Sequence, residues 1–491
     1  MVRRNLVVSV ALLLFLAPSS LSAESLFEAA KNYQTDGQGT NSVAVADLNG
    51  DGRPDIVAVS SVYSTVAILL NNGDGTFQSP ATYNAGLVPK TVVIADVNND
   101  GKPDLIIADG GCPNPSGYDS CVAVLLGNGD GTFQPMQSYN SGYGTRTVAV
   151  GDFNNDGNVD LVVGNECVNA ACDIPGSAVV VLRGDGAGAF HKGHSYSVSR
   201  YLYSIAVADL KGDGKLDLLV ATGDVDVLLG NGDGTFQPAQ VITSDTSGAI
   251  SIAAADVNGD GKLDLVVANF ADLPPGTVSV FLGNSDGTFQ SPQTFDSGGI
   301  YLTAVAVADV NGDGKPDVLV TEALRDEAGL LGVLLGNGDG TFQAPTTKGS
   351  GGLSPLAIAV GDLNGDGLPD VVIGSNGTST GATVGVLLHN KYGSSTTVSS
   401  SLNPSSSGQV VTFTATVTVK LDGVPTGGIA SGTVTFKSGG SVLGTVPLTG
   451  NAASLPTSAL KTGTDTIHAV YNGNAGTVHS TSPPLSQVVN P

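Results

Sequence analysis

The chain has no tryptophan, and its 491 residues include only four cysteines and two methionines, with 13% charged side chains. An ordinary soluble domain carries roughly 25% charged residues. Glycine and proline are abundant instead, with 68 and 24 residues. The glycines follow no strict triplet period, which excludes a collagen-like fibre, and 41% hydrophobic residues can form a packed core, which excludes disorder throughout. The composition therefore predicts a globular chain rich in turns.

Basic residues are scarce too. Only 20 lysines and arginines stand against 44 acidic residues, so the net charge is -24. A protein this acidic repels polyanions unless a local basic patch intervenes, and the sequence contains none. We therefore expect no nucleic-acid partner.

Long apolar runs are lacking beyond the N-terminal region. Residues 1–23 combine Arg3 and Arg4, an apolar run from Leu6 to Ala17 and small residues ending at Ala23, which is typical of a secretory signal peptide. The run is too short to span a bilayer permanently. We expect a secreted or cell-surface associated protein whose mature chain does not insert into a membrane.

The four cysteines are compatible with an oxidising compartment. Cys112 and Cys121 lie in one loop, and Cys167 and Cys172 lie in the equivalent loop of the next repeat, so local pairing within each loop is favoured. The alternative is free thiols or a metal pair, although these spacings differ from the Cys-x-x-Cys of zinc sites.

A nine-residue pattern, D-x-[DN]-x-D-G-x-x-D, occurs seven times between two apolar runs, once with lysine at its third position. The copies begin roughly 50 residues apart, about the length of a four-stranded propeller blade. Each complete repeat also has an apolar strand, a turn and an aromatic residue, as in LLGNGDGTFQ at residues 125–134. We therefore predict an all-β fold with a seven-bladed β-propeller over residues 24–392.

The last repeat lacks its fourth strand, because it ends at VLLHNKYG without the GDGTFQ turn. The segment LFEAAKNYQTDG at residues 26–37 resembles TFQSPATYNAG at residues 76–86, which forms the predicted outer strand of blade 1. We therefore predict that the N-terminal strand completes blade 7 and closes the ring.

The C-terminal region differs in composition. Residues 393–403 are rich in serine and predict a linker. Residues 404–491 contain alternating strands at the spacing of a small Ig-like β-sandwich without a disulfide.

The nine-residue pattern has the chemistry of a site for a hard divalent cation of calcium size. Such an ion takes oxygen ligands, here from side chains at positions 1, 3, 5 and 9 and from the backbone carbonyl at position 7, while glycine at position 6 permits a sharp turn. The expected ligand sets are Asp47, Asn49, Asp51, Arg53 and Asp55; Asp96, Asn98, Asp100, Lys102 and Asp104; Asp152, Asn154, Asp156, Asn158 and Asp160; Asp256, Asn258, Asp260, Lys262 and Asp264; Asp309, Asn311, Asp313, Lys315 and Asp317; and Asp362, Asn364, Asp366, Leu368 and Asp370.

Blade 4 departs from this pattern. It carries Asp209, Asp213 and Asp217, but Lys211 occupies the third position, and an ammonium cannot ligate a cation. We expect about six calcium ions, with the blade 4 site weak or empty and Lys211 replacing the charge of the ion. The alternative for all seven loops is plain turn chemistry, which explains the glycines but leaves three crowded carboxylates without a counter-ion.

These seven loops resemble the FG-GAP (VCBS-type) repeat family over residues 26–390. That family includes the propellers of integrin α-subunit heads and many bacterial exported proteins, and its loops bind calcium and stiffen the blades. The segments NPSSSGQVVTFTATV and GTVTFKSGG resemble bacterial Ig-like repeat domains. The resemblance implies a secreted interaction or adhesion module in which calcium is structural.

Ligand recognition is expected on the face opposite these loops, where the connections carry aromatic and arginine side chains of the kind enriched in binding hot spots. These residues are Tyr143, Arg146, Arg200, Tyr201, Tyr203 and Tyr301. The alternative is that they only cap blade packing. The expected partner is an extracellular protein or a polysaccharide; the lack of tryptophan counts against a lectin, whereas twelve tyrosines keep it open.

We expect no catalytic site. The five histidines show no metal-ligand spacing, and no G-x-S-x-G motif occurs, so an extracellular polymer-degrading enzyme is the least favoured alternative. The tripeptide Arg183-Gly184-Asp185 occupies a predicted turn of blade 3, and we interpret it as a chance match to the integrin-recognition sequence.

Overall fold

The computed structural model describes residues 26–35, 39–111, 120–169, 176–199, 201–242, 248–270, 275–323, 328–378, 381–421, 424–425, 430–474 and 476–491. The predicted signal peptide at residues 1–23 lies outside these ranges. So do Cys112 and Cys172, and the predicted cysteine pairing falls outside the described residues with them; no described cysteine is a free thiol.

The N-terminal region consists of four-stranded antiparallel units, which we number 1 to 7 by the repeat whose nine-residue loop they contain. The strands of the first three units, after β1 (Lys31–Gln34), are β2 (Thr40–Ala46), β3 (Asp55–Ser60), β4 (Thr65–Leu69) and β5 (Ala81–Asn84); β6 (Pro89–Ala95), β7 (Asp104–Asp109), β8 (Ser120–Leu125) and β9 (Gln137–Gly151); and β10 (Asp160–Cys167), β11 (Ser177–Gly184) and β12 (Phe190–Val198). Strand β9 pairs with β8 through its first half and with β10 through its second half, so it belongs to both unit 2 and unit 3.

The remaining units repeat this arrangement. Their strands are β13 (Ser204–Ala208), β14 (Asp217–Ala221), β15 (Val225–Leu228) and β16 (Gln240–Ile242); β17 (Ala249–Ala255), β18 (Asp264–Asn269), β19 (Thr277–Phe281) and β20 (Gln293–Asp296); β21 (Tyr301–Ala308), β22 (Asp317–Ala323), β23 (Ala328–Leu334) and β24 (Thr346–Leu353); and β25 (Pro355–Gly361), β26 (Asp370–Thr378) and β27 (Gly381–Leu387).

Strand β1 pairs with β27 and so completes unit 7, as predicted from the sequence. The register sets Lys31 opposite Val386 and Gln34 opposite Thr383. The inner strands of successive units contact one another around the ring, and β25 of unit 7 contacts β2 of unit 1. The described strands therefore form a closed ring.

Burial explains the strand sequences. The second strand of each unit begins with the position 9 aspartate and is then largely apolar, because both of its faces pack against neighbouring units; every residue of β3 and of β18 is buried. The outer strands are largely exposed, which suits their polar residues. The first strands are more exposed than their apolar sequences predict, because one face of each lines the centre of the ring; residues 44–46 of β2 are half-buried.

Aromatic pairs join neighbouring units at their outer edges. Tyr83 on β5 of unit 1 packs edge-to-face on Phe133 of unit 2 at 5.5 Å between ring centroids. Tyr33 on β1 makes the same contact with Phe77 of unit 1 at 5.2 Å. The N-terminal strand therefore takes both the pairing and the packing role of an outer strand.

The C-terminal domain is a two-sheet β-sandwich. Its strands are β28 (Gly393–Ser400), β29 (Ser405–Ser406), β30 (Val411–Leu421), β31 (Val424–Pro425), β32 (Thr433–Ser438), β33 (Ser441–Pro447), β34 (Ala452–Thr457), β35 (Gly463–Tyr471), β36 (Ser480–Thr481) and β37 (Leu485–Asn490). One sheet has the order β28-β30-β31 with β34 paired to β30, and the other has the order β29-β37-β35-β32-β33 with β36 paired to β35.

The predicted linker over residues 393–403 is wrong for most of its length. Residues 393–400 form β28, which pairs with β30 in full register. The serine and threonine hydroxyls are used in the fold: Thr396 lies 2.7 Å from the Ser480 hydroxyl, and Ser400 donates to Gln487 at 2.7 Å. A serine-rich composition is thus compatible with a strand when hydroxyls across the sandwich supply the partners.

Candidate functional site

Each nine-residue loop connects the first strand of its unit to the second. In unit 1, Asp47 at position 1 accepts hydrogen bonds from the Gly50 amide at 2.8 Å and the Gly52 amide at 2.7 Å. Asn49 accepts from the Asp51 amide at 2.9 Å. Gly52 adopts a φ of 81°, a left-handed conformation that favours glycine. The loop thus curls around the side-chain oxygens of positions 1 and 3.

Position 9 is the most buried residue of the loop. Asp55 is fully buried, and its carboxylate accepts hydrogen bonds from the Leu48 amide at 3.0 Å and from the Asn71 amide at 2.8 Å. Asn71 follows the third strand of the unit. Equivalent acids make the same two contacts in the other units: Asp104, Asp160, Asp217, Asp264, Asp317 and Asp370. This side chain therefore ties the loop to the third strand.

Burial raises the pKa of each position 9 carboxyl above the usual value for aspartate. In unit 1, repulsion from Asp51 and Asp47 raises the pKa of Asp55 further, which places three acids of the loop within electrostatic reach of one another. The pKa reaches about 7 at Asp317 and Asp370. A bound cation would offset this unfavourable concentration of carboxylates.

The loops offer only oxygen atoms as ligands for an ion. Among the described residues, no group of three or more His, Cys, Asp or Glu side chains is arranged so that it could hold a metal ion. Most loop carboxylate oxygens accept backbone amides instead. Oδ2 of Asp366 accepts no amide, and it is buried without a hydrogen-bond partner among the described residues. The chemistry of the loops, all carboxylate, amide and carbonyl oxygen, fits a calcium-sized ion.

Unit 4 shows what replaces the amide at position 3. The Lys211 ammonium lies 2.9 Å from Oδ2 of Asp213, and its side chain is only 19% exposed. This hydrogen bond raises the pKa of Lys211 and lowers the pKa of the Asp213 carboxyl. A side-chain cation is therefore folded into the loop next to its acids.

The loops of units 6 and 7 are covered, unlike those of units 1, 2, 3 and 5. Asn311 at position 3 of unit 6 is 3% exposed and Asp366 at position 5 of unit 7 is 6% exposed, whereas Asp51 and Asp260 are exposed. The cover comes from Tyr392 and the C-terminal domain, which enclose a cavity of about 300 Å³ with these loops.

The model of the "FG-GAP-like repeat" family matches residues 47–107, 96–163, 209–267, 258–320 and 323–373, more than half of the chain. The chain belongs to the FG-GAP-like repeat family. The "FG-GAP repeat" model matches residues 301–341, and that of the "Bacterial Ig-like domain (group 3)" matches residues 394–490. The predicted all-β propeller with an Ig-like domain is confirmed; the number of blades stays a prediction.

No curated protein matches this FG-GAP-like repeat chain. A solved structure titled "Crystal structure of BBS1N in complex with ARL6DN, soaked with mercury" is similar at 14% identity and a TM-score of 0.49, covering 74% of this chain and 97% of the other. A likeness this weak bears on neither function nor fold. FG-GAP-like repeats are typical of extracellular proteins, and no described helix is long and apolar enough to cross a membrane.

The face opposite the loops carries most of the predicted recognition residues. Arg146, Tyr203 and Tyr301 line one cavity of about 440 Å³ at the centre of the propeller. The Arg146 guanidinium stacks 4.8 Å from the Tyr203 ring centroid and pairs with Glu166. Tyr201 is 66% exposed.

Two described residues of the predicted set, Tyr143 and Tyr201, do not line this cavity. Tyr143 is half-buried in β9 opposite Cys167, and Arg200 lies outside the described residues. Sequence reasoning missed Lys90 and Phe270, which line the same cavity, and Phe270 packs 5.6 Å from Tyr301. Their position in the repeat could have identified them: Phe270 directly follows the second strand of its unit, and Lys90 lies near the start of a first strand.

The Arg183-Gly184-Asp185 tripeptide ends β11 and begins a turn. Asp185 accepts from the Ala187 amide at 2.8 Å and the Ala189 amide at 3.0 Å. These contacts give Asp185 the role of a turn residue, in line with the interpretation of a chance match.

Proposed function

We propose that this protein is a secreted interaction module of the adhesion type, with calcium bound in six nine-residue loops as a structural ion. The side chains at positions 1, 3, 5 and 9 and the carbonyl at position 7 would hold the ion in units 1, 2, 3, 5, 6 and 7. Bound calcium supplies positive charge that fixes the first strand of a unit against its second. Because it binds only the folded loop, it stabilises the native state.

The observation that supports calcium most directly is the exception in unit 4. Where lysine replaces the amide at position 3, its ammonium lies 2.9 Å from the position 5 acid. A plain turn needs no cation at this point. Three acids crowded into one loop do need a positive charge, because their carboxylates repel one another. Lys211 thus acts as a built-in substitute for the ion.

Thermal unfolding of the mature protein in calcium chloride, in magnesium chloride and after chelation tests this proposal, together with a metal count by elemental analysis. Each site occupied at 100 times its dissociation constant adds about 2.7 kcal/mol of stability. We expect a large calcium-specific rise of the unfolding midpoint and about six ions per chain. Equal midpoints in all three conditions would reduce the loops to turns.

We further propose that the cavity on the opposite face binds an extracellular ligand. Lys90 and Arg146 supply basic groups, while Tyr203, Phe270 and Tyr301 supply rings, although the protein as a whole is strongly acidic. This combination suits an acidic group next to an apolar or sugar surface. The partner is thus an extracellular protein or, as the second candidate, an acidic polysaccharide.

Binding of alginate and of neutral dextran to immobilised protein separates these partners. The polysaccharide candidate predicts salt-sensitive alginate binding that is lost in a Tyr203→Ala, Tyr301→Ala double variant. Tyr63→Ala is the matched control, since Tyr63 is 54% exposed and does not line the cavity. Binding of neither polymer would favour a protein ligand.

A further inference from the structure

The Ig-like domain lies directly on the loops of units 6 and 7. The Tyr392 amide donates to the Gly476 carbonyl at 2.9 Å, and the Val478 amide donates to the Tyr392 carbonyl at 2.8 Å. Tyr392 is 4% exposed, and its hydroxyl lies 3.4 Å from the Val310 carbonyl of unit 6. One apolar cluster continues from units 6 and 7 through Tyr392 into the sandwich. The two domains therefore share a core at this point.

The closest approach is at Gly476. A Cβ atom at this position would lie 2.8 Å from the Asp366 carbonyl oxygen and 3.1 Å from Cδ1 of Leu368. Asp366 and Leu368 occupy positions 5 and 7 of the unit 7 loop. The backbone of the Ig-like domain thus touches the two positions that would supply a side-chain and a carbonyl ligand, so a shift of this loop must move the interface.

The cavity at this interface contains an incompletely satisfied acid. Asn311 and Asp366 line it from the propeller, and Ser431, Asn474 and Thr477 line it from the Ig-like domain. Oδ2 of Asp366 is buried there with no hydrogen-bond partner among the described residues. A buried carboxylate oxygen without a partner is unfavourable, and a cation in the loop would remove this penalty.

We propose that cation binding in the loops of units 6 and 7 is coupled to docking of the Ig-like domain, whereas binding in the open loops of units 1, 2, 3 and 5 is not. This inference rests on the proposed calcium function. Coupling is reciprocal, so the docked domain raises the affinity of the two covered loops by the same factor by which calcium favours docking.

Hydrogen exchange of the full mature chain, with calcium chloride and after chelation, tests the coupling. The Tyr392 and Val478 amides form the interdomain hydrogen bonds, and coupling of typical strength slows their exchange about 5- to 150-fold on calcium addition. We expect Asp366→Asn to abolish most of this slowing. Asp51→Asn, at the same position of the open unit 1 loop, leaves it intact. Equal behaviour of the two variants would overturn the coupling.

Calorimetric titration with calcium chloride gives the reciprocal measurement. Gly476→Val forces the domain off the loop and should weaken two of about six sites at least 5-fold. Gly440→Val is the matched control, since a Cβ at Gly440 meets nothing within 4 Å. If a folded Gly476→Val protein binds calcium at all six sites with unchanged affinity, the coupling is overturned but the proposed calcium function is not. Absence of calcium binding in the parent protein overturns the proposed function as well.

Discussion

The loops of units 5 and 7 follow the same sequence pattern but lie in different surroundings. Position 5 is exposed at Asp260 in unit 5 and buried at Asp366 in unit 7. Asp260 pairs with Lys262 at 3.1 Å, whereas position 7 of the buried loop is Leu368, which contacts the Ig-like domain. A repeated motif therefore fixes which atoms a loop offers, while a neighbouring domain decides how unfavourable those atoms are without an ion.

The largest expected effect concerns position 9, where open and covered loops should behave alike. Asp370→Ala removes the acceptor for two buried backbone amides, those of Leu363 and His389. We therefore expect the free energy of unfolding, measured with urea in the absence of calcium, to fall by about 2 to 5 kcal/mol. Asp104→Ala in unit 2 should cost a similar amount, because its carboxylate makes the equivalent contacts. A much smaller loss at Asp104 would extend the difference between the loops to position 9.

Units 5 and 6 also differ at the ends of their second strands. Asn269 of unit 5 donates to the Ser279 hydroxyl at 2.8 Å, but Glu322 of unit 6 is fully buried and neither carboxyl oxygen has a hydrogen-bond partner among the described residues. Burial raises the pKa of Glu322 to about 8 from its usual 4.5. Between these values the unfolded chain releases a proton that the folded chain keeps, so stability falls as pH rises.

Glu322→Gln removes this titrating carboxyl and should abolish its contribution to the pH dependence of stability. Relative to the parent protein, the variant gains roughly 3 to 4 kcal/mol between pH 5 and pH 8. Unfolding of both proteins at several pH values in saturating calcium measures the difference, in which all other titrating groups cancel. Parallel stability profiles would mean that Glu322 titrates normally.

Unit 4 can be converted to test the loops one at a time. Lys211→Asn restores the amide at position 3, so we expect elemental analysis to find one more calcium ion per chain. The unfolding midpoint after chelation should fall slightly, because the contact with Asp213 is lost. Lys215→Asn is the control. Lys215 occupies position 7, where only a backbone carbonyl is needed, and its ammonium lies 4.0 Å from Asp213. An unchanged ion count in Lys211→Asn would contradict the proposed ligand set.

The smallest effect is expected for the cations at position 7. Lys262→Ala removes a solvent-exposed ion pair, and such pairs contribute little to stability. We expect its unfolding midpoint to equal that of the parent within measurement error at moderate salt. A clear loss that disappears at high salt would mean that these surface pairs matter more than their exposure indicates.

Local patterns predicted the repeats, the nine-residue loops and the closing strand, since all three depend on residues close in sequence or on direct similarity between segments. The linker was wrong because serine-rich composition does not distinguish a flexible segment from β28, whose hydroxyls find partners more than 80 residues away. The burial of Asp366 and Glu322 could not be predicted either. It depends on Gly476 and on other distant segments that the motif itself does not encode.

The pairing of β1 with β27 also constrains how the protein reaches its native state. Lys31 pairs with Val386, so nearly the whole propeller must be synthesised before the outer strand of unit 7 can form. Contacts so distant in sequence form slowly, because the chain loses the entropy of a large closed loop before the pairing stabilises it. Until then β27 remains an unpaired edge, open to pairing with another chain. Dilute conditions and prompt folding should therefore favour closure of the ring over association with another chain.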